Sequence, residues 1–268
     1  MNDTFMKRFF FWVCLLFFLG FGAGAQDLKV AIGSGLTGCD LKNENMSPLT
    51  YFGIGFQAHT GVIYEGKKFF HEMNSYLGGV STINLLARPE TLLRLFAWDS
   101  DYSCLFKLKE ADKSNLTLHL GGALTQRFAL RNHQRYSNNN VDTDYAISLA
   151  LAGMATYSVS LKKHTAAVQW KLMLPVLSVA NAPSYVGRSP EGFIMNEEVN
   201  PLFLFQNSEI VSWGRFFRMV SDLSLVWTLA NGNAFFAKYH WDFTQNRMGH
   251  YLADAKHYMS VGLLVRLN

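Results

Sequence analysis

The feature that most constrains this chain is a two-residue period sustained far longer than a soluble strand requires. From Leu116, the residues Leu116, Leu118, Leu120, Leu124, Phe128 and Leu130 fall on one face. Thr117, His119, Gly121, Thr125, Arg127 and Arg131 fall on the other. Side chains alternate across a strand, so such a run separates an apolar from a polar surface along its whole length. The segment after it repeats the pattern. Tyr145, Ile147, Leu149, Leu151, Ala155 and Tyr157 alternate with Ala146, Ser148, Ala150, Ala152, Thr156 and Ser158. Two tyrosines bracket its apolar stretch, and twelve steps on a tilted strand climb about 30 Å, close to an apolar membrane band with its aromatic girdles.

The same test along the chain predicts ten strands, near 28–37, 49–64, 68–85, 101–110, 115–131, 144–161, 164–179, 211–229, 234–246 and 256–268. The connections fall into two classes. Short ones lie at 65–67, 111–114, 162–163 and 231–233, and long polar ones at 38–48, 86–100, 132–143, 180–210 and 247–255. Short and long alternate, as periplasmic turns and extracellular loops do in outer-membrane barrels. The expected fold is all-β, an antiparallel up-and-down transmembrane β-barrel of about 10 strands with both termini on the periplasmic side. Leu92, Leu93, Leu95, Phe96 and Trp98 within 86–100 leave a 12-strand alternative open, with the loop reading preferred.

The first residues fit export. Lys7 and Arg8 precede an apolar run from Phe9 to Phe21 that ends in Gly22-Ala23-Gly24-Ala25, a signal-peptide pattern with cleavage before Gln26. Residues 1–25 are therefore expected to be removed, leaving a single barrel domain over 26–268 with a net charge near +3. That balance gives no reason to expect a nucleic-acid partner. Cys39 and Cys104 survive cleavage, as a disulfide or as two unrelated thiols.

The final strand alternates Met259, Val261, Leu263, Val265 and Leu267 with Tyr258, Ser260, Gly262, Leu264 and Arg266. It resembles the terminal insertion strand of bacterial outer-membrane barrels, although it closes on Arg266-Leu267-Asn268 without a terminal aromatic. With the Ala-Gln junction, the ending resembles the outer-membrane barrels of Bacteroidota. That resemblance implies membrane lipids, lipopolysaccharide and the barrel-insertion machinery as partners.

By the same register the lumen is charged. His59, Glu72, Lys107, His119, Arg127, Gln169, Lys171, Arg218, Lys238 and Arg266 are expected to line it, with Gln57, Asp222, His240 and Asp242. A ten-stranded barrel is narrow, so these groups are expected to form an interior network, and Ala146, Ser148, Ala150 and Ala152 leave room on one wall for a small channel. A three-residue turn at Asn231-Gly232-Asn233 would pair Ala230 with Ala234, setting Ser224 opposite His240 and Asp222 opposite Asp242. Ser, His and Asp are the ingredients of a nucleophilic hydrolase, so Ser224, His240, Asp222 and Asp242 are catalytic candidates. Asp99-Ser100-Asp101 at a barrel mouth with His240-Trp241-Asp242 is similar to the acidic pairs and histidine of omptin surface proteases, with the order of the His-containing pair reversed.

Trp170, Trp213, Trp227, Tyr239 and Trp241 point outward as girdle or lipid-facing groups. No metal motif or cofactor fingerprint stands in the sequence, and Gly33 and Gly35 read as strand features. The apolar 180–210 loop, with Pro183, Pro190 and Pro201, is expected to fold over the mouth as lid, plug or protein-partner surface. The functional expectations are a narrow channel for small solutes or a structural surface protein, with a hydrolase or a loop-mediated binding barrel as alternatives.

Overall fold

The computed structural model describes residues 27–44, 47–84, 92–108, 115–133, 141–181 and 208–267. Their alternation folds into β1 (Asp27–Asn43), β2 (Ser47–Glu65), β3 (Phe69–Ile83), β4 (Leu93–Lys107), β5 (Leu116–His133) and β6 (Val141–Leu161). Then follow β7 (His164–Asn181), the short β8 (Ser208–Val211), β9 (Phe216–Thr228), β10 (Ala234–Asn246) and β11 (Leu252–Leu267). Among the described residues there is no helix.

Ten long strands pair antiparallel with their neighbours and close where β1 meets β11, from Leu28 opposite Leu267 to Asn43 opposite Leu252. The wall completes itself at β7, whose first half pairs with β9 and whose last residues pair with β8. Pro175 explains the changeover. Lacking an N–H, it cannot continue the ladder to β9, and Val176 is left as an extra residue opposite β6 between the Leu149–Leu177 and Ala150–Pro175 pairs. The bulge shifts the alternation by one, so Val176 and Leu177 are both exposed and Ser178 turns inward.

Both chain ends and the short turns lie at one end of the barrel, called here the turn end; the longer connections lie at the loop end. Most strands run further toward the loop end than the periodicity suggested. β1 reaches Asn43, β11 begins at Leu252 and β4 begins at Leu93. The expected loop over 86–100 is therefore strand from Leu93 onward, because Leu93, Leu95 and Ala97 pack inside while Phe96 and Trp98 face out. It lengthens β4 and adds no further strand. The 180–210 segment contributes β8 at its end; 182–207, like the leader over 1–25, lies outside the described residues.

The outward face exposes Ile32, Ile54, Phe56, Leu120, Leu151 and Val261, each more than half accessible, and it is ringed by Trp98, Trp170, Trp213 and Trp227. So continuous an apolar belt is stable only against hydrocarbon. On the inner face Gly33 stands opposite Gly262, and the buried Phe236 ring lies so close that a Cβ on Gly33 would meet it at 2.8 Å. The inner face holds both the apolar core and most buried charge. Cys39 is buried inward and Cys104 partly exposed on the outer face, as separate free thiols.

Candidate functional site: the charged lumen

Alternation sends the polar half of each strand inward, and there the side chains meet across the lumen. Among the described residues, Glu72, Asp99, Asp101, Asp142, Asp144, Asp222, Asp242 and Asp254 are buried with Arg127, Arg131, Lys171, Arg218, Lys238 and Lys256. They form three tiers.

At the loop end, Arg127 on β5 holds Asp254 on β11 through two hydrogen bonds of 3.1 and 2.6 Å, and approaches Asp144 at 3.0 Å. Arg131 shares both carboxylates, at 2.7 Å from Asp144 and 3.1 Å from Asp254. Asn43 on β1 donates to Asp142 on β6 at 2.7 Å. Arg131 also approaches Asp142, more loosely, at 3.5 Å.

In the middle tier Arg218 on β9 grips Asp242 on β10 at 3.0 and 2.9 Å and donates to Thr125 on β5 at 3.0 Å. Lys256 and Tyr258 on β11 both donate to Asp99 on β4.

In the lowest tier Lys171 on β7 contacts Glu72 at 2.8 Å, Asp101 at 3.0 Å and Asp222 at 3.1 Å. Lys238 on β10 reaches Glu72 at 2.8 Å and Asn74 at 3.0 Å. His240 Nδ1 lies 2.6 Å from Asp222 Oδ1, and the His240 ring packs on Tyr76 with centroids 4.3 Å apart.

Several of these contacts, among them Arg127–Asp254, Lys256–Asp99 and Lys171–Glu72, join strands that are not neighbours in the wall, so they cross the lumen and fill it. The apolar residues do the same. Ala150 and Ala152 on β6 are packed against Leu105, Met154, Met173 and Val220, and Ala146 against Val211, Phe216 and Met248. The space the small residues were expected to leave is thus occupied by larger side chains of β4, β6, β7, β8 and β9. Below the lowest tier the lumen changes character. Thr117, Thr156, Ser158, Thr165 and Thr228, with Lys29, Glu65 and Lys107, line a cavity of about 200 Å³ at the turn end.

Of the expected lumen residues, His59, Glu72, His119, Arg127, Lys171, Arg218 and Lys238 are buried inside. Lys107 and Gln169 line the turn-end cavity and are partly exposed. Arg266 sits instead at the rim, 2.9 Å from Asp27 and 41% exposed, because the lumen has opened to solvent by the last pair of β11.

The β9–β10 register corrects the hydrolase constellation. The turn spans five residues, 229–233, closed by Leu229 N–H to Asn233 O at 2.8 Å with Gly232 at φ 85°. The pairing is offset by two residues from that expected. His240 stands opposite Asp222, Ser224 opposite Lys238, and Asp242 opposite Val220. A two-residue offset preserves each side chain's face and changes every partner. The Asp222–His240 pair exists, but Ser224 is not hydrogen-bonded to the imidazole, whose Nε2 has no partner among the described residues. Asp222 and Asp242 do not face each other; Arg218 claims Asp242, and Lys171 and His240 claim Asp222.

Asp99 and Asp101 are likewise not solvated loop acids. They belong to β4 and point into the network, at 1% and 4% exposure. Sequence reasoning also passed over Asp254 and Lys256, which continue the inward phase of Tyr258 and Ser260 toward the loop end. That continued phase was the signal available for them.

With this geometry in view, similarity to known proteins falls into place. The barrel is similar in fold to the outer membrane protease OmpT from Escherichia coli, at 10% identity and a TM-score of 0.54, over 91% of this chain and 97% of that one. It is also similar to the translocator domain of the autotransporter NalP from Neisseria meningitidis, at 12% identity and a TM-score of 0.42, over 99% and 98% of the two chains. The outer membrane protein OprG from Pseudomonas aeruginosa matches at 10% identity and a TM-score of 0.34, over 91% and 97%. At such identities the likeness concerns the fold alone. No curated protein matches the chain in sequence. The family described as "Protein of unknown function (DUF3316)" matches residues 28–225, from β1 into β9, and the chain belongs to that family.

Proposed function

We propose that the chain is a bacterial outer-membrane barrel, exported by a leader over 1–25, that works as a sealed membrane platform presenting its loop end, and not as a passive pore. The observation that carries this is the set of buried ion pairs spanning the lumen, above all Arg127 with Asp254 and Lys171 with Glu72, each between strands on different sides of the wall. In a narrow barrel such bridges displace the water column that conduction needs. Lipid and lipopolysaccharide surround the belt, and the insertion machinery delivers the barrel to the membrane. The loops are then where a protein partner would bind, 182–207 being the longest of them.

The test is planar-bilayer recording on the refolded protein. The sealed reading expects silence from the wild type, and silence still when Asp254→Ala and Arg127→Ala are combined, because the middle and lowest tiers continue to span the lumen. Conductance by the wild type would replace this reading with a channel. N-terminal sequencing of the protein purified from membranes should begin at Gln26.

A second reading is supported by one observation. Asp101 approaches the Asp222–His240 pair inside a barrel whose fold matches that of a protease, a juxtaposition able to orient a water for attack on a carbonyl. Its cost is access, since the three groups are at most 4% exposed. Peptide-library cleavage lost in Asp101→Asn would favour it, and absence of turnover by the folded wild type would remove it.

A further inference from the structure

The turn-end cavity is lined by two unlike arcs. On β1, β2 and β4 stand Lys29, Glu65 and Lys107, whereas β5, β6, β7 and β9 present hydroxyls and the Gln169 amide. We propose that this cup binds a single monosaccharide unit carrying a carboxylate or a phosphate. The inference goes beyond the sealed-platform reading, which concerns the loop end, and depends on neither conduction nor catalysis.

The hydroxyl arc is an ordered row. Thr117 pairs with Thr156 in the wall, and Thr156 with Gln169, so three hydrogen-bonding side chains stand side by side on β5, β6 and β7, about 5 Å apart. Yet Thr156 Oγ1 is buried and has no hydrogen-bond partner among the described residues. His119, two residues along β5 from Thr117, adds a second such group to the lining. The residue is 9% exposed, its ring rests against Phe70 with centroids 5.7 Å apart, and its Nδ1 is buried without a partner among the described residues. Buried polar groups are nearly always satisfied, and a polyol, which donates and accepts at every hydroxyl, can satisfy a threonine and an imidazole together.

The charged arc selects an anion. Asp27 is shared there, its two oxygens lying 2.8 Å from Lys29 and 2.9 Å from Arg266. With Lys107 and Glu65, three cations stand against two carboxylates among the described residues of this rim. An ammonium carries three donors, so Lys29 can hold Asp27 and an incoming oxyanion together. Size sets the rest. At about 200 Å³ the cup is smaller than the ~300–1,000 Å³ of a site for a drug-sized ligand, so it takes one sugar ring and not a chain of them. A bare oxyanion would meet only the charged arc, and a neutral sugar only the hydroxyl arc.

The test is calorimetric titration of the barrel, purified from membranes in detergent, with glucuronate, glucose 6-phosphate, glucose and inorganic phosphate. One saturable site is expected for at least one of the two sugar anions, with glucose and phosphate at least ~10-fold weaker because each satisfies a single arc. Lys29→Met should weaken the sugar anion at least ~10-fold, and Thr156→Val about 5-fold. If Lys29→Met fails to fold, Thr156→Val decides alone, since its hydroxyl bonds nothing in the wall among the described residues. No saturable site, or glucose or phosphate binding as tightly as the sugar anions, overturns the proposal. So does binding that survives both substitutions, which would place the anion on exposed turn lysines such as Lys67 and Lys162.

Discussion

The two ends of the lumen are built from different side chains. Toward the loop end, guanidinium groups bridge the walls, with Arg127 and Arg131 at zero exposure and sharing Asp144 and Asp254. Toward the turn end, threonines and serines stop short of one another and leave a cavity of about 200 Å³. Reach explains the contrast. A long planar cation can fork two carboxylates from opposite strands, whereas a hydroxyl bonds only near its own backbone. Lys29, Glu65 and Lys107 also line that cavity, so the lumen is closed where long side chains of opposite charge meet across it and not by length alone.

The largest break in that contrast should come from Asp254→Ala, which removes one of the two carboxylates that Arg127 and Arg131 share and leaves two buried guanidiniums on Asp144. Urea unfolding of the barrel in lipid vesicles should show a loss of about 3–5 kcal/mol, as removing one partner of a buried pair does. Replacing Arg127 and Asp254 together by Met and Leu should restore much of it, because no buried charge is then left single. Next in size is Met173→Ala, which empties part of the apolar filling between Ala152 and Leu105; about 2–5 kcal/mol is expected for a methionine lost from a packed core. At the turn end the same assay should scarcely register Thr156→Val, whose hydroxyl has no partner among the described residues, with a change below about 1 kcal/mol.

The smallest effect sharpens the comparison within the loop end itself. Asp142 accepts from Asn43 at 2.7 Å and meets Arg131 only at 3.5 Å, so an amide of the same shape can take its place. Asp142→Asn should therefore alter stability by less than about 1 kcal/mol at neutral pH. A loss as large as that of Asp254→Ala would show that Asp142 serves the arginines as a full partner.

The wall was more legible than its interior. Leu116 to Leu130 and Tyr145 to Tyr157 each announce a two-faced strand, because lipid accepts only apolar groups on one side. The strand was not extended back past Asp101 because Leu93, Leu95, Asp99 and Asp101 share the inward face there, and a face that mixes leucines with acids opposite Arg94, Phe96 and Trp98 resembles a solvated loop. The interior partners were harder for a geometric reason. Which residue meets which depends on the length of a turn, and 231–233 or 229–233 serve equally well with a glycine at position 232. Alternation is blind to that choice. Contacts across the lumen, such as Lys256 with Asp99, depend further on the tilt of every strand between them, which no local pattern carries.

The seam between β1 and β11 has a consequence for the order of events. Sixteen residue pairs join Leu28–Asn43 to Leu252–Leu267, the greatest separation along the sequence that this sheet contains. Until the last of those residues has been synthesised and delivered, β1 has no second neighbour and stands as an open edge with its backbone groups unpaired. Closing so long a loop is entropically the costliest pairing in the structure. The seam is therefore the last pairing the wall can complete, and until it forms the sheet keeps two open edges, one on β1 and one on β11.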